Sequence, residues 1–169
     1  WEMFINCLEC FFFYYLLLKQ LGYKKQIYAY AGLLFMIVCE TALNFSSLPF
    51  IVTTLSMLAL RVIYSLLCFN GNYALRILWG ISGTLVTQAT NLIISNLLPL
   101  FSGFDIVDTL SPSPARFGVQ VFYILIVITL YWILSRTNKR KNLSAPVVLQ
   151  IFTVLIMALG VYAVGKIVG

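Results

Sequence analysis

Residues 11–26 read FFFYYLLLKQLGYKKQ, and the fold turns on the change of character at Lys19. An unbroken aromatic and aliphatic run gives way there to a short turn centred on Gly22 and carrying Lys19, Lys24 and Lys25. The apolar run reaches back to Trp1, and a second one starts at Ile27. Runs of about 18–20 apolar residues have the length of a helix that crosses a hydrocarbon layer about 30 Å thick. Two such runs joined by a basic turn read as a helical hairpin whose bend sits among lipid headgroups.

The same pattern continues outward to the end of the chain. Of the 169 residues, 62% are apolar or aromatic and 9% are charged, against roughly 25% charged in an average soluble domain. A soluble domain of this size has too much surface for its volume to hide so much apolar area. The expectation is therefore all-α: one polytopic membrane helix bundle over residues 1–169, of about six transmembrane helices. The spans fall at about 1–18, 27–43, 48–69, 74–100, 117–134 and 147–168. Asn44, Ser46, Ser47 and Pro49 mark one turn, and Asn70, Gly71 and Asn72 another. The fourth span is long for a single crossing and is expected to tilt or to project beyond the lipid. Residues 101–116, FSGFDIVDTLSPSPAR, form the only sizeable expected loop.

Orientation follows from charge. Lys19, Lys24, Lys25, Arg76, Arg136, Lys139, Arg140 and Lys141 fall in the connections after spans one, three and five. Asp105, Asp108 and Arg116 fall in those after spans two and four. An excess of Lys and Arg marks the cytoplasmic side, so both ends of the chain are expected outside the cell. The net charge of +6 then reflects topology and not a nucleic-acid surface, and the lipid bilayer is the expected partner.

Several classes of chemistry lack their residues. The chain contains no His, the commonest general base and metal ligand. Cys7 and Cys10 form a C-x-x-C within an apolar run with no second pair, which reads as packing and not as a metal site. There is no phosphate-binding glycine loop and no nucleophile–base set. No metal, cofactor or enzymatic activity is expected of these residues.

Polar groups inside the spans carry the remaining signal, because charge in a membrane helix is costly and marks function by default. Glu9 stands about 15 Å above the basic end of span one, and Arg61 about 13 Å above that of span three. Their similar depth predicts an intramembrane Glu9–Arg61 ion pair, either fixing register or acting as a switch. Glu40 lies one turn inside the outer end of span two, where it either reaches the interface or lines an outward pocket. Thr84, Thr87, Gln88, Asn91 and Ser95 share one helical stripe of span four. That stripe serves either as interhelical glue or as a polar groove opening outward. Asp105 and Asp108 in the outer loop are too few for a calcium site.

The aromatic first span closing on a Gly-centred basic turn resembles the start of the membrane sensor of GHKL-type bacterial histidine kinases. The accessory gene regulator receptors for secreted cyclic peptides belong to that group. Ala42 to Phe45 at the end of span two, the Arg-bearing third span and the basic segment SRTNKRKN at 135–142 fit the same layout. The resemblance implies a quorum-sensing, two-component receptor that acts as a homodimer and binds an extracellular peptide at the outer ends of spans two to five. Glu40, Gln88, Asn91, Asp105 and Asp108 are the candidate ligand residues. It also implies a sensor cut before a further span and a cytoplasmic kinase domain, which would hold any phosphotransfer chemistry. Two other readings stay open: a six-helix transport subunit of the energy-coupling-factor type, and a non-catalytic cell-envelope membrane protein. The former keeps its termini in the cytoplasm, against the charge distribution here.

Overall fold

The computed structural model describes residues 2–46, 48–102 and 114–136. Among these it is all-helical, with five helices: α1 Glu2–Gln20, α2 Gln26–Phe45, α3 Phe50–Cys68, α4 Tyr73–Ser102 and α5 Pro114–Arg136. The segment α2, residues Ile51–Cys68 of α3 and residues Phe117–Arg136 of α5 are each long and apolar enough to cross a membrane. That is consistent with a membrane protein. Helix α1 has the length, but Asn6, Glu9 and Lys19 dilute its apolar character. Helix α4 is one continuous helix of 30 residues. The expected sixth span at 147–168 lies outside the described residues, and so do Asp105 and Asp108.

Local sequence explains where the helices stop. At the end of α1 the chain turns at Gly22, and after α3 at Gly71, with φ of 70° and 112°; other residues avoid this left-handed region. Asn72 caps α4 by accepting the Ala74 N–H through Oδ1 at 3.3 Å, the usual service of Asn at a helix start. Helix α5 starts at Pro114, earlier than the apolar pattern alone indicates. Proline suits a first helical turn, where its missing N–H has no partner to lose.

The two glycine turns are fastened to each other. Tyr23 and Phe69 make an isolated antiparallel bridge, Lys24 N donates to Cys68 O at 2.9 Å, and Asn70 N donates to Gly22 O at 2.8 Å. The Asn70 side chain adds a bond to Tyr23 O at 2.8 Å. Gln20 Nε2 reaches Leu134 O at 2.7 Å, which brings the end of α5 to the same level. The helices thus alternate in direction, with the α1–α2 turn, the α3–α4 turn and the α5 C-terminus at one basic end.

Each helix packs on its chain neighbour, and α5 closes back on α1. The ring has a continuous interior of Cys10, Phe13, Leu16, Leu17, Met36, Trp79, Val86, Val127 and Tyr131. Near the basic end Tyr64 meets Phe69 edge to face, 5.3 Å between centroids, an arrangement that aromatic quadrupoles favour. The Tyr64 hydroxyl donates to Ala29 O at 2.9 Å and ties α3 to α2. Large apolar side chains such as Ile27, Leu34, Phe35, Ile51 and Leu67 face outward. A water-soluble chain would not sustain so much exposed apolar surface.

Candidate functional site: a buried arginine cluster

Arg61, on α3, is 1% exposed and is the largest fully buried side chain among the described residues. A guanidinium carries five N–H donors, and here all five are used. Nε donates to Glu40 Oε1 at 2.7 Å and Nη2 to Glu40 Oε2 at 2.9 Å. Nη2 also donates to Glu9 Oε1. Nη1 donates to Gly83 O at 3.2 Å and to Thr87 Oγ1 at 3.0 Å. The Glu40 contact is a two-bond fork, the strongest form of arginine–carboxylate pairing.

The partners are themselves held. Tyr123, on α5, donates its hydroxyl to Glu9 Oε2 at 2.9 Å. The Cys10 thiol donates to Glu40 Oε2 at 3.4 Å. Tyr131 donates to Gly83 O at 3.0 Å, and Thr87 donates to Thr84 O at 2.9 Å. The Phe13 ring lies under the guanidinium, 5.3 Å from its centroid. Gly83 makes this stacking possible, since a Cβ there would collide with the Phe13 ring. Every one of the five helices supplies a group to one connected network. Buried charges persist only when paired and hydrogen-bonded, and this set meets that condition.

Glu9 and Arg61 are therefore in direct contact. Glu40 is where the sequence reading needs correction. It neither reaches the outer interface nor lines an outward-facing pocket; it is 2% exposed and paired with Arg61. Backbone depth hides this, because Glu40 stands about 21 Å along α2 from the basic end and Arg61 only about 13 Å above the turn at Asn70. Side chains lean toward the N-terminus of their own helix. The two helices are antiparallel, so Arg61 leans outward and Glu40 leans toward the basic end, and the gap closes.

The stripe on α4 divides into two parts. Thr84 and Thr87 are buried, and Thr87 joins the arginine. Gln88 is half-buried with Nε2 3.9 Å from the Met57 thioether, while Asn91 is exposed. Neither is a hydrogen-bond partner of Arg61. Sequence reading passed over Tyr123 and Tyr131, which share a stripe of α5 at a spacing of two turns. The available signal was chemical: a tyrosine deep in an aliphatic span needs a partner for its hydroxyl. Cys10 was equally silent, because a buried thiol normally reads as a small apolar group.

A second polar step lies on the side of the cluster away from the basic end. Asn44 Nδ2 donates to Asn6 Oδ1 at 2.9 Å, one helical turn beyond Glu40 and Glu9. Among the described residues no group of His, Cys, Asp and Glu has the arrangement of a metal site. No protein-family model, curated protein or solved structure matches the chain.

Proposed function

We propose that this chain is the membrane-embedded sensor region of a bacterial two-component histidine kinase that responds to an extracellular signal, a secreted peptide being the favoured class. On this reading about six helices cross the membrane, both chain ends lie outside, and the basic turns face the cytoplasm. The working unit is a homodimer, and phosphotransfer belongs to a kinase domain linked to these residues.

The observation that carries the reading is the arginine cluster. A receptor must convert a small change at one face into a concerted change of helix arrangement. Packed interiors do this by switching between discrete arrangements. A buried network with a group from every helix cannot be altered at one helix without disturbing the others. A ligand shifts such an equilibrium only by its differential affinity for the two arrangements. Gln88, Asn91, Asp105 and Asp108 remain the proposed contact residues. Glu40, buried against Arg61, has the role of responding to the signal and not of touching the ligand.

The test is ATP-dependent histidine phosphorylation of the intact gene product in membrane vesicles. Arg61→Lys and Glu40→Gln each change the basal level by about tenfold or more, locking the receptor on or off. Thr129→Val, on the exposed face of α5, leaves it unchanged. Absence of histidine phosphorylation in the intact product refutes the kinase reading. Reporter fusions that place Glu2 in the cytoplasm refute the topology and favour the transport-subunit alternative.

A further inference from the structure

The basic end of the bundle has an arrangement that the sensor reading does not use. Lys24 Nζ donates to Leu66 O at 2.7 Å, and Arg76 Nη1 donates to the same oxygen at 2.6 Å. Two cations therefore converge on one carbonyl near the C-terminus of α3. The helix terminus offers partial negative charge there, but among the described residues no carboxylate joins it. Glu2, Glu9 and Glu40, the acidic residues among the described ones, lie in the core or toward the opposite end. Arg76 is 5% exposed, and its Nε has no hydrogen-bond partner. Like charges this close repel unless an anion stands near, and a buried unpaired N–H of a charged group is costly.

The surroundings fix the depth of the site. Tyr23, Tyr28, Tyr73 and Trp132 are all exposed around this end, and exposed Tyr and Trp collect at the headgroup level of a bilayer. Arg76 itself rests on the Tyr73 ring at 4.4 Å, and the other cations of this end do likewise: Lys19 over Tyr15, Lys25 over Tyr28 and Arg136 over Trp132 at 3.9 Å. The pair and three further positive side chains, Lys19, Lys25 and Arg136, thus share this end at headgroup depth, with no negative one among the described residues.

We propose that Lys24 and Arg76, converging on the Leu66 carbonyl, bind the phosphate of an anionic phospholipid headgroup. Phosphate oxygens accept from the Lys24 ammonium donors that Leu66 O does not use, and the buried Arg76 adds positive charge beneath them. The site requires a bilayer but no signal, so it stands apart from the kinase reading.

The test uses the full chain purified in a neutral detergent and examined by native mass spectrometry after mixing with phosphatidylglycerol or phosphatidylcholine. Phosphatidylglycerol is retained preferentially, and Lys24→Gln lowers its retention about tenfold, the worth of a charge-assisted hydrogen bond. Arg76→Gln also lowers it; because Arg76 is buried, exposed Lys24 is the safer variant. Lys25→Gln, which removes an equal charge from the rim, has the smaller effect. Equal retention of the two lipids overturns the proposal. So does equal loss in Lys24→Gln and Lys25→Gln, which marks a diffuse positive surface. Displacement of the lipid by inorganic phosphate at millimolar concentration assigns the site to a free anion instead, and also overturns it.

Discussion

Arg61 and Glu40, 21 residues apart in the chain, are joined by two side-by-side hydrogen bonds of 2.7 and 2.9 Å in the centre of the helix bundle. The pair is buried on both sides, and Glu9 completes it from α1. A pair of this kind contributes little net stability compared with a well-packed apolar replacement, yet losing one member leaves a stranded charge.

That asymmetry sets the first prediction. Arg61→Met strands two carboxylates and destabilises the bundle by about 3–5 kcal/mol. The triple variant Glu9→Gln, Glu40→Gln, Arg61→Met recovers most of the loss, because no buried charge remains. Thermal unfolding in lipid nanodiscs, followed by circular dichroism, makes the comparison. A triple variant no more stable than Arg61→Met would show that the cluster matters for its shape and not for its charge.

How much of this was open to sequence reading depends on what each residue advertises. Apolar runs and the turns at Gly22 and Asn70–Asn72 are legible because hydrophobic length and left-handed backbone leave marks in composition. Depth arithmetic brings Glu9 and Arg61 to one level, since α1 and α3 run in the same direction and their side chains lean alike. The same arithmetic misplaces Glu40, on an antiparallel helix, where the lean has the opposite sense. Tyr123, Tyr131 and Cys10 stay hidden because each passes for an ordinary apolar residue until a neighbour supplies its hydrogen bond.

The two tyrosines of α5 should behave differently. Tyr123→Phe removes a donor from the buried Glu9 carboxylate and leaves Oε2 without a bond it now accepts, a loss of about 1–3 kcal/mol. Tyr131→Phe removes a donor from Gly83 O, which still accepts from Arg61, so the loss is about 1 kcal/mol or less. Unfolding midpoints of the two variants, measured side by side, give the order. The reverse order would place the strain at Gly83 and not at Glu9.

Gly83 tests packing alone. An added Cβ meets Phe13 ring carbons, and overpacking of this kind costs about 1–3 kcal/mol. Gly83→Ala is therefore destabilising, and Phe13→Leu in the same chain relieves part of the loss by vacating the collision. A double-mutant cycle on unfolding free energies reads the coupling directly. Additive losses would mean that α4 moves away from α1 instead of pressing on Phe13.

Cys10 reports whether the cluster opens. Its thiol is fully buried and donates to Glu40, whereas Cys7 and Cys39 are partly exposed. In a variant whose other cysteines are replaced by alanine, a small membrane-permeant maleimide reaches Cys10 only when α1, α2 and α3 separate. Labelling of Cys10 is then slow in the parent and faster in Arg61→Met, in proportion to the free energy lost by breaking the ion pairs. A loss of about 3 kcal/mol predicts an acceleration on the order of a hundredfold. Equal labelling rates in the two proteins would mean that Cys10 is reached by a local path along α1. The helices would then not part together, and the concerted behaviour that the sensor proposal requires would lose its physical basis.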